Sequence, residues 1–125
     1  MNQICINTRD EYIKVDLDKM LYAVADDNYI SLHFLNGQNV VVCLSLLKLS
    51  QMIVGAYGTE KTKFIRIGRK YIVNRLYIMQ INLLKQVLVL SDMEEIKPIA
   101  IPVPKEALKA LRLTLVEDIK NTETK

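Results

Sequence analysis

Tryptophan is absent from this 125-residue chain, phenylalanine occurs twice and histidine once. Flat rings are therefore scarce. A single-stranded RNA platform, which stacks bases on aromatic side chains of a sheet, has little to build on. The lone histidine, His33, falls mid-strand with no acid or nucleophile near it in sequence, and reads as a surface strand residue. Acid–base and nucleophilic catalysis thus lack their usual parts. The two cysteines, Cys5 and Cys43, form no CxxC pair and have no histidine cluster beside them. That argues against a zinc site or a disulfide scaffold and fits a reducing cytosol. Cys43 follows three valines and reads as a buried structural thiol. The four glycines are scattered, so no glycine-rich loop is present to cradle a phosphate. Asp26-Asp27 is read as a turn former rather than an ion site. No enzyme, cofactor or metal is expected.

Two further absences concern location. No basic region followed by a long apolar run opens the chain, so no signal peptide is read. The most apolar stretch, "VVVCLSLLKLSQMIV" (40–54), is broken by Lys48 and is too short to span a bilayer. A cytoplasmic protein is the expectation.

The most informative gap is in charge. Residues 61–91 contain no Asp or Glu, yet carry Lys61, Lys63, Arg66, Arg69, Lys70, Arg75 and Lys85. The acids gather elsewhere, at Asp10 and Glu11, Asp16 and Asp18, Asp26 and Asp27, and Glu94 and Glu95. A one-sided basic segment on a chain of net charge +3 is the electrostatic footprint of a polyanion binder.

What is there reads as strands. Half the residues are hydrophobic and a quarter charged, as in a single globular domain, here 1–116 with a polar, fraying tail at 117–125. "YIKVDL" alternates, with Ile13, Val15 and Leu17 on one face. "KMLYAVA" leads to the turn at Asp26, Asp27 and Asn28. "YISLHFL" points Ile30, Leu32 and Phe34 inward and Tyr29, Ser31 and His33 outward. Asn36-Gly37 then signals a hairpin with a primed turn, which needs positive φ at both central positions. Leu46, Leu49 and Ile53 switch to helical spacing, with Ser45 to cap that helix and Gly55 to end it. A loop, "AYGTEKTK", leads to two short strands split by Gly68. Another hairpin turns near Leu84 and Lys85. "IKPIAIPV" carries two prolines and belongs at a sheet edge. Pro104 suits the first turn of a final helix marked by Leu108, Leu111 and Leu115. The count is about eight to ten strands and two helices, mainly β.

The segment "FIRIGRKYIVN" (64–74) places Arg66, Arg69 and Lys70 on and beside a glycine turn. Arginine can fork onto a guanine edge or a phosphate, and lysine supplies point charge. Each has a plainer reading. Arg69 and Lys70 read equally as solvated loop cations, Arg66 as the partner of an acid on a neighbouring strand, and Tyr29 as a cross-strand packing residue. Asn74 reads as a backbone-bonding asparagine.

"FIRIGRKYIVNRLYIMQI" resembles the LytTR family of bacterial DNA-binding domains: Phe64, Arg66-Ile67, the loop Gly68-Arg69-Lys70, Tyr71 and Val73-Asn74. "DLDKMLYAVADDNYISLHFLNGQ" is similar to the family's acidic turn and Asn-Tyr pair, and "IAIPVPKEALKAL" to its closing strand and helix. The resemblance runs from about Asp10 to Leu115. It implies an elongated stack of antiparallel sheets with a short central helix and a C-terminal helix. It implies a response-regulator-like transcription regulator that puts loop side chains into the major grooves of double-stranded DNA. By position, Arg69 and Lys105 become the base-reading candidates. Asn28, Tyr29, Arg66, Lys70 and Lys109 become the backbone-contact candidates. Two departures stand out: glycine at position 68, where the family often has histidine, and Pro104-Lys105-Glu106, where it usually has Ser-Arg-Arg. Repeated half-sites and a homodimer on DNA are expected. The alternative is a β module for protein interaction or self-association that does not bind nucleic acid.

Overall fold

The structure is a computed structural model that describes residues 2–58, 63–92, 94 and 97–122. In chain order its elements are β1 (Gln3–Asn7), β2 (Tyr12–Asp16), β3 (Met20–Asp26), β4 (Tyr29–Phe34), β5 (Asn39–Val42) and α1 (Leu46–Tyr57). Then come β6 (Phe64–Ile67), β7 (Tyr71–Asn74), β8 (Ile78–Asn82), β9 (Val87–Leu90), β10 (Ile99–Pro102) and α2 (Lys105–Thr122). Short 3-10 turns at Leu17–Lys19 and Arg75–Tyr77 make two of the joints. Among the described residues the fold is mainly β with three sheets and two helices, as the alternating pattern requires. The chain divides into two compact units, Met1–Leu76 and Tyr77–Lys125.

The first unit is built on a five-stranded antiparallel sheet, order β5-β4-β3-β7-β6. Period-2 spacing puts Ile30 and Leu32 of β4, Val42 of β5 and Ile72 of β7 on one face, where they are buried. Ile4, Ile6 and Val15 of the β1–β2 hairpin and Leu46, Leu49 and Ile53 of α1 close over that face. Each such side chain contributes about 1.5–3 kcal/mol through burial. Tyr57, at the end of α1, packs on Phe64 and donates its hydroxyl to Asp18 at 2.7 Å. That bond holds the Asp18 carboxyl below its ordinary value. In the second unit β9 is central, order β10-β9-β8, and Leu88, Leu90, Ile101, Leu108 and Leu111 are buried. The proline strand β10 lies at the edge, where a missing donor costs nothing.

Several local expectations change. Asn36-Gly37 does make the β4–β5 hairpin, but only Gly37 has positive φ, at 88°. Gly37 N–H bonds the Phe34 carbonyl at 3.0 Å, and the Asn36 side chain accepts from Gln38 N–H at 2.9 Å. The loop is therefore a three-residue turn with glycine at its end, not a primed two-residue turn. Ser45 caps α1, accepting from Lys48 N–H at 3.0 Å. Gly55 does not end that helix; Gly58 does, at φ 85°. The helix gains the turn that carries Tyr57 to Phe64 and Asp18. Within "AYGTEKTK", residues 59–62, including Lys61, lie outside the described residues. The helix α2 runs on through Glu117 to Thr122. Cys43 is exposed rather than buried, as is Cys5, because β5 ends at buried Val42 and the next side chain points outward. His33 is half-buried, not a plain surface residue. Its ring stacks on Tyr22 at 4.4 Å and bonds Ser31 Oγ at 3.1 Å. Burial lowers its pKa. No helix among the described residues is long and apolar enough to cross a membrane.

Candidate nucleic-acid interface

Four of the five candidate residues of the first unit, Asn28, Tyr29, Arg69 and Lys70, gather at one end of its sheet. The strands β3 and β7 are antiparallel neighbours with Val24 opposite Tyr71. The β3–β4 turn (Asp27, Asn28) therefore lies beside the β6–β7 turn (Gly68, Arg69, Lys70). A main-chain bond fixes this: Ala25 N–H donates to the Lys70 carbonyl at 2.8 Å. Both turns hold residues at positive φ, Asp27 at 55° and Gly68 at 60°. Aspartate tolerates the left-handed region better than most residues, and glycine pays no steric penalty there. The tips are thus set by backbone, which leaves their side chains available.

Asn28, Tyr29, Arg69 and Lys70 are all exposed there, Tyr29 at 51%. Arg69 has no ion pair among the described residues. Lys70 stands 6.0 Å from the centroid of its neighbour Tyr71, at the limit of a cation–π contact. The same end carries the exposed acids Asp26 and Asp27, so the tip is mixed in sign. Among the described residues no group of three or more His, Cys, Asp or Glu could hold a metal ion.

The neighbouring β1–β2 turn adds a cation that the sequence reading passed over. Arg9 is exposed and, with Asn7, Thr8 and Tyr29, lines a shallow depression at this end. Its place depends on the β1–β2 register, which the local pattern did not tie to β4.

Arg66 is placed differently. It shares the face of β6 that carries Phe64, so its side chain belongs to the α1 side of the sheet rather than to a turn. Asn74 is fully structural. It is buried, donates Nδ2–H to the Met20 carbonyl at 3.0 Å and accepts from Leu76 N–H at 3.0 Å.

Lys105 and Lys109 belong to the second unit, at the start of α2. Gln86 organises this corner. At φ 55° it closes the β8–β9 turn, and its carbonyl accepts from Val103 N–H at 3.1 Å. Its side chain accepts from Lys105 N–H at 3.3 Å. Pro104 sits one residue before the helix and accepts its first bond, from Leu108 N–H at 3.0 Å. Exposed Lys85 lies in the same β8–β9 turn, next to Gln86, and donates its N–H to the Asn82 side chain at 2.9 Å. Lys85 was missed as a site residue; its signal was its place in a turn of the acid-free segment. Lys109 is 3.9 Å from Glu106, a loose and exposed pair worth little.

Comparison with known proteins matches residues 10–115 to the family model described as LytTr DNA-binding domain. No curated protein matches. Among solved structures, the chain is similar to the LytTr DNA-binding domain of a Bacillus cereus protein described as a methyl-accepting/DNA response regulator. The TM-score is 0.60 at 23% identity, over 92% of this chain and 97% of that one.

Proposed function

The chain belongs to the LytTR family of DNA-binding domains, and from that premise we propose a cytoplasmic, sequence-specific transcriptional regulator that reads double-stranded DNA with loop side chains in the major groove. The observation that carries this reading is the turn pair. A main-chain bond joins two hairpin tips, and one of them presents Arg69 and Lys70 to solvent. Arg69 has the fork of donors that selects a guanine edge. Lys70, Asn28 and Tyr29 are suited to the phosphate backbone on either side. In the second unit Lys105 reads a base, with Lys85 and Lys109 on phosphates. A single short domain makes few base contacts. Two copies on direct repeats, roughly 10 bp apart centre to centre, supply the remaining specificity.

Selection from a randomised duplex pool tests the reading. A defined repeated site is expected. Arg69→Ala and Lys105→Ala should each weaken binding to it by about 1–3 kcal/mol and relax one base position, with the thermal midpoint unmoved. If the pool yields no preferred duplex, the chain is a protein-interaction module instead. If a site emerges but both variants bind it like the parent, the residue assignment is wrong.

A further inference from the structure

The strand β6 is an outer strand of the five-stranded sheet, and among the described residues only β7 pairs with it. The Lys63 carbonyl accepts from Arg75 N–H at 2.7 Å. Alternation from that bond turns the main-chain N–H and C=O of Arg66 away from β7, toward the open edge. The side chain of Arg66 has no ion pair among the described residues. It stands instead at the rim of a cleft of about 80 Å³ between α1 and β6, lined by Ser50, Ile53, Val54, Phe64, Arg66 and Ile72. On the α1 wall of this cleft two apolar side chains are exposed, with Ser50 between them. Leu47 is 60% exposed and Val54 36%, seven residues apart and so on one helical face. A strand edge, a small slot walled mainly by Ile53, Val54, Phe64 and Ile72, and a cation with no ion pair among the described residues therefore meet at Arg66.

We propose that this edge is a docking site for an extended acidic segment of a partner protein. The segment adds a strand to β6 through main-chain bonds at Arg66. One of its apolar side chains enters the slot against Ile53, Val54 and Phe64. A carboxylate two residues along, and so on the same face of the added strand, meets the Arg66 guanidinium. The slot is too small for a free ligand, since pockets for those run to about 300–1,000 Å³, but it suits one branched side chain. Nucleic acid is a poor occupant, because Leu47 and Val54 offer phosphates nothing. A second copy is also disfavoured. Pairing β6 with β6 sets two arginines against each other, which is how charged residues protect edges. The same charge that repels a like edge attracts a carboxylate.

The test is a titration of the isotope-labelled full chain with a capped seven-residue peptide that carries leucine and glutamate two residues apart on one strand face and threonine on the other, followed by NMR. Expected are saturable shifts of the Ile65, Arg66 and Ile67 amides and of the Ile53 and Val54 methyls. Arg66→Glu should weaken binding about fivefold, the upper range for an exposed ion pair, at an unchanged thermal midpoint. Val54→Asp, which leaves the arginine in place, should weaken it as well. A lysine–leucine peptide that binds equally well, or shifts confined to other surfaces, would overturn the proposal. So would a peptide affinity that neither variant changes. Adding a selected DNA duplex separates this site from the DNA-binding reading. Persistent peptide shifts in the ternary mixture support a distinct surface, whereas displacement by duplex would assign Arg66 to DNA and sink the docking site.

Discussion

Asn74 shows how much one side chain can fix. It is 1% exposed, and its amide joins the carbonyl of Met20 on β3 to the N–H of Leu76, where the chain leaves β7. No hydroxyl or carboxylate offers both a donor and an acceptor in that geometry without a change of charge or reach. Asn74→Ala would leave a buried carbonyl and an N–H unmatched, each costing about 1–3 kcal/mol. The expected outcome is a loss of roughly 2–4 kcal/mol in urea unfolding, with duplex affinity of the folded fraction preserved. Asn74→Asp should be no better, since it keeps the acceptor and loses the donor. The residue type and the strand-end position made this role readable from sequence. His33 was not readable in the same way. Its partner Tyr22 is eleven residues away, and the stacking follows from the β3–β4 register, which sets Tyr22 opposite His33.

Among the elements, α1 separates what a local pattern can and cannot say. The spacing of Leu46, Leu49 and Ile53 and the Ser45 cap announce the helix, because both act within a few residues. Its end is set at longer range. Gly55 is a weak helix former, but the helix passes through it so that Tyr57 can reach Phe64 and Asp18. The true stop is Gly58, at φ 85° and ψ 179°, a region open essentially to glycine alone. The two glycines should therefore respond with opposite signs. Gly58→Ala is expected to destabilise by about 1–3 kcal/mol through backbone strain. Gly55→Ala is expected to stabilise by up to about 1 kcal/mol, since a methyl there meets nothing within 4 Å. Paired thermal melts decide it, and equal shifts in one direction would refute the assignment. The same limit of range explains the site. The cations at Arg69 and Lys70 were evident from charge alone. Their neighbour across the sheet, the Asp27-Asn28 turn, became part of one tip only through β3–β7 pairing.

For the molecule as a whole, the question is how a chain of net charge +3 holds a polyanion. The acid-free stretch 61–91 supplies cations to both units, with Arg69 and Lys70 in one and Lys85 in the other. Asp26 and Asp27, by contrast, stand at the tip beside Lys70. Phosphates must then be met by specific side chains rather than by a uniform field. Each phosphate contact should contribute a salt slope of about −0.9 in log K against log salt. Lys70→Ala and Lys85→Ala should each flatten the slope by close to one unit, and the double variant by about two, if the two units engage one duplex together. Asp27→Asn preserves a residue type that tolerates positive φ while removing one negative charge. A carboxylate about 7 Å from a phosphate costs roughly 0.6 kcal/mol in water. That variant should therefore bind nearly threefold tighter at low salt, with the gain fading as salt screens it. Fluorescence anisotropy on a selected duplex from low to high salt measures both effects. Should Asp27→Asn bind more weakly, its carboxylate would be accepting from a cytosine amino group. The acidic turn would then be reading sequence rather than limiting affinity.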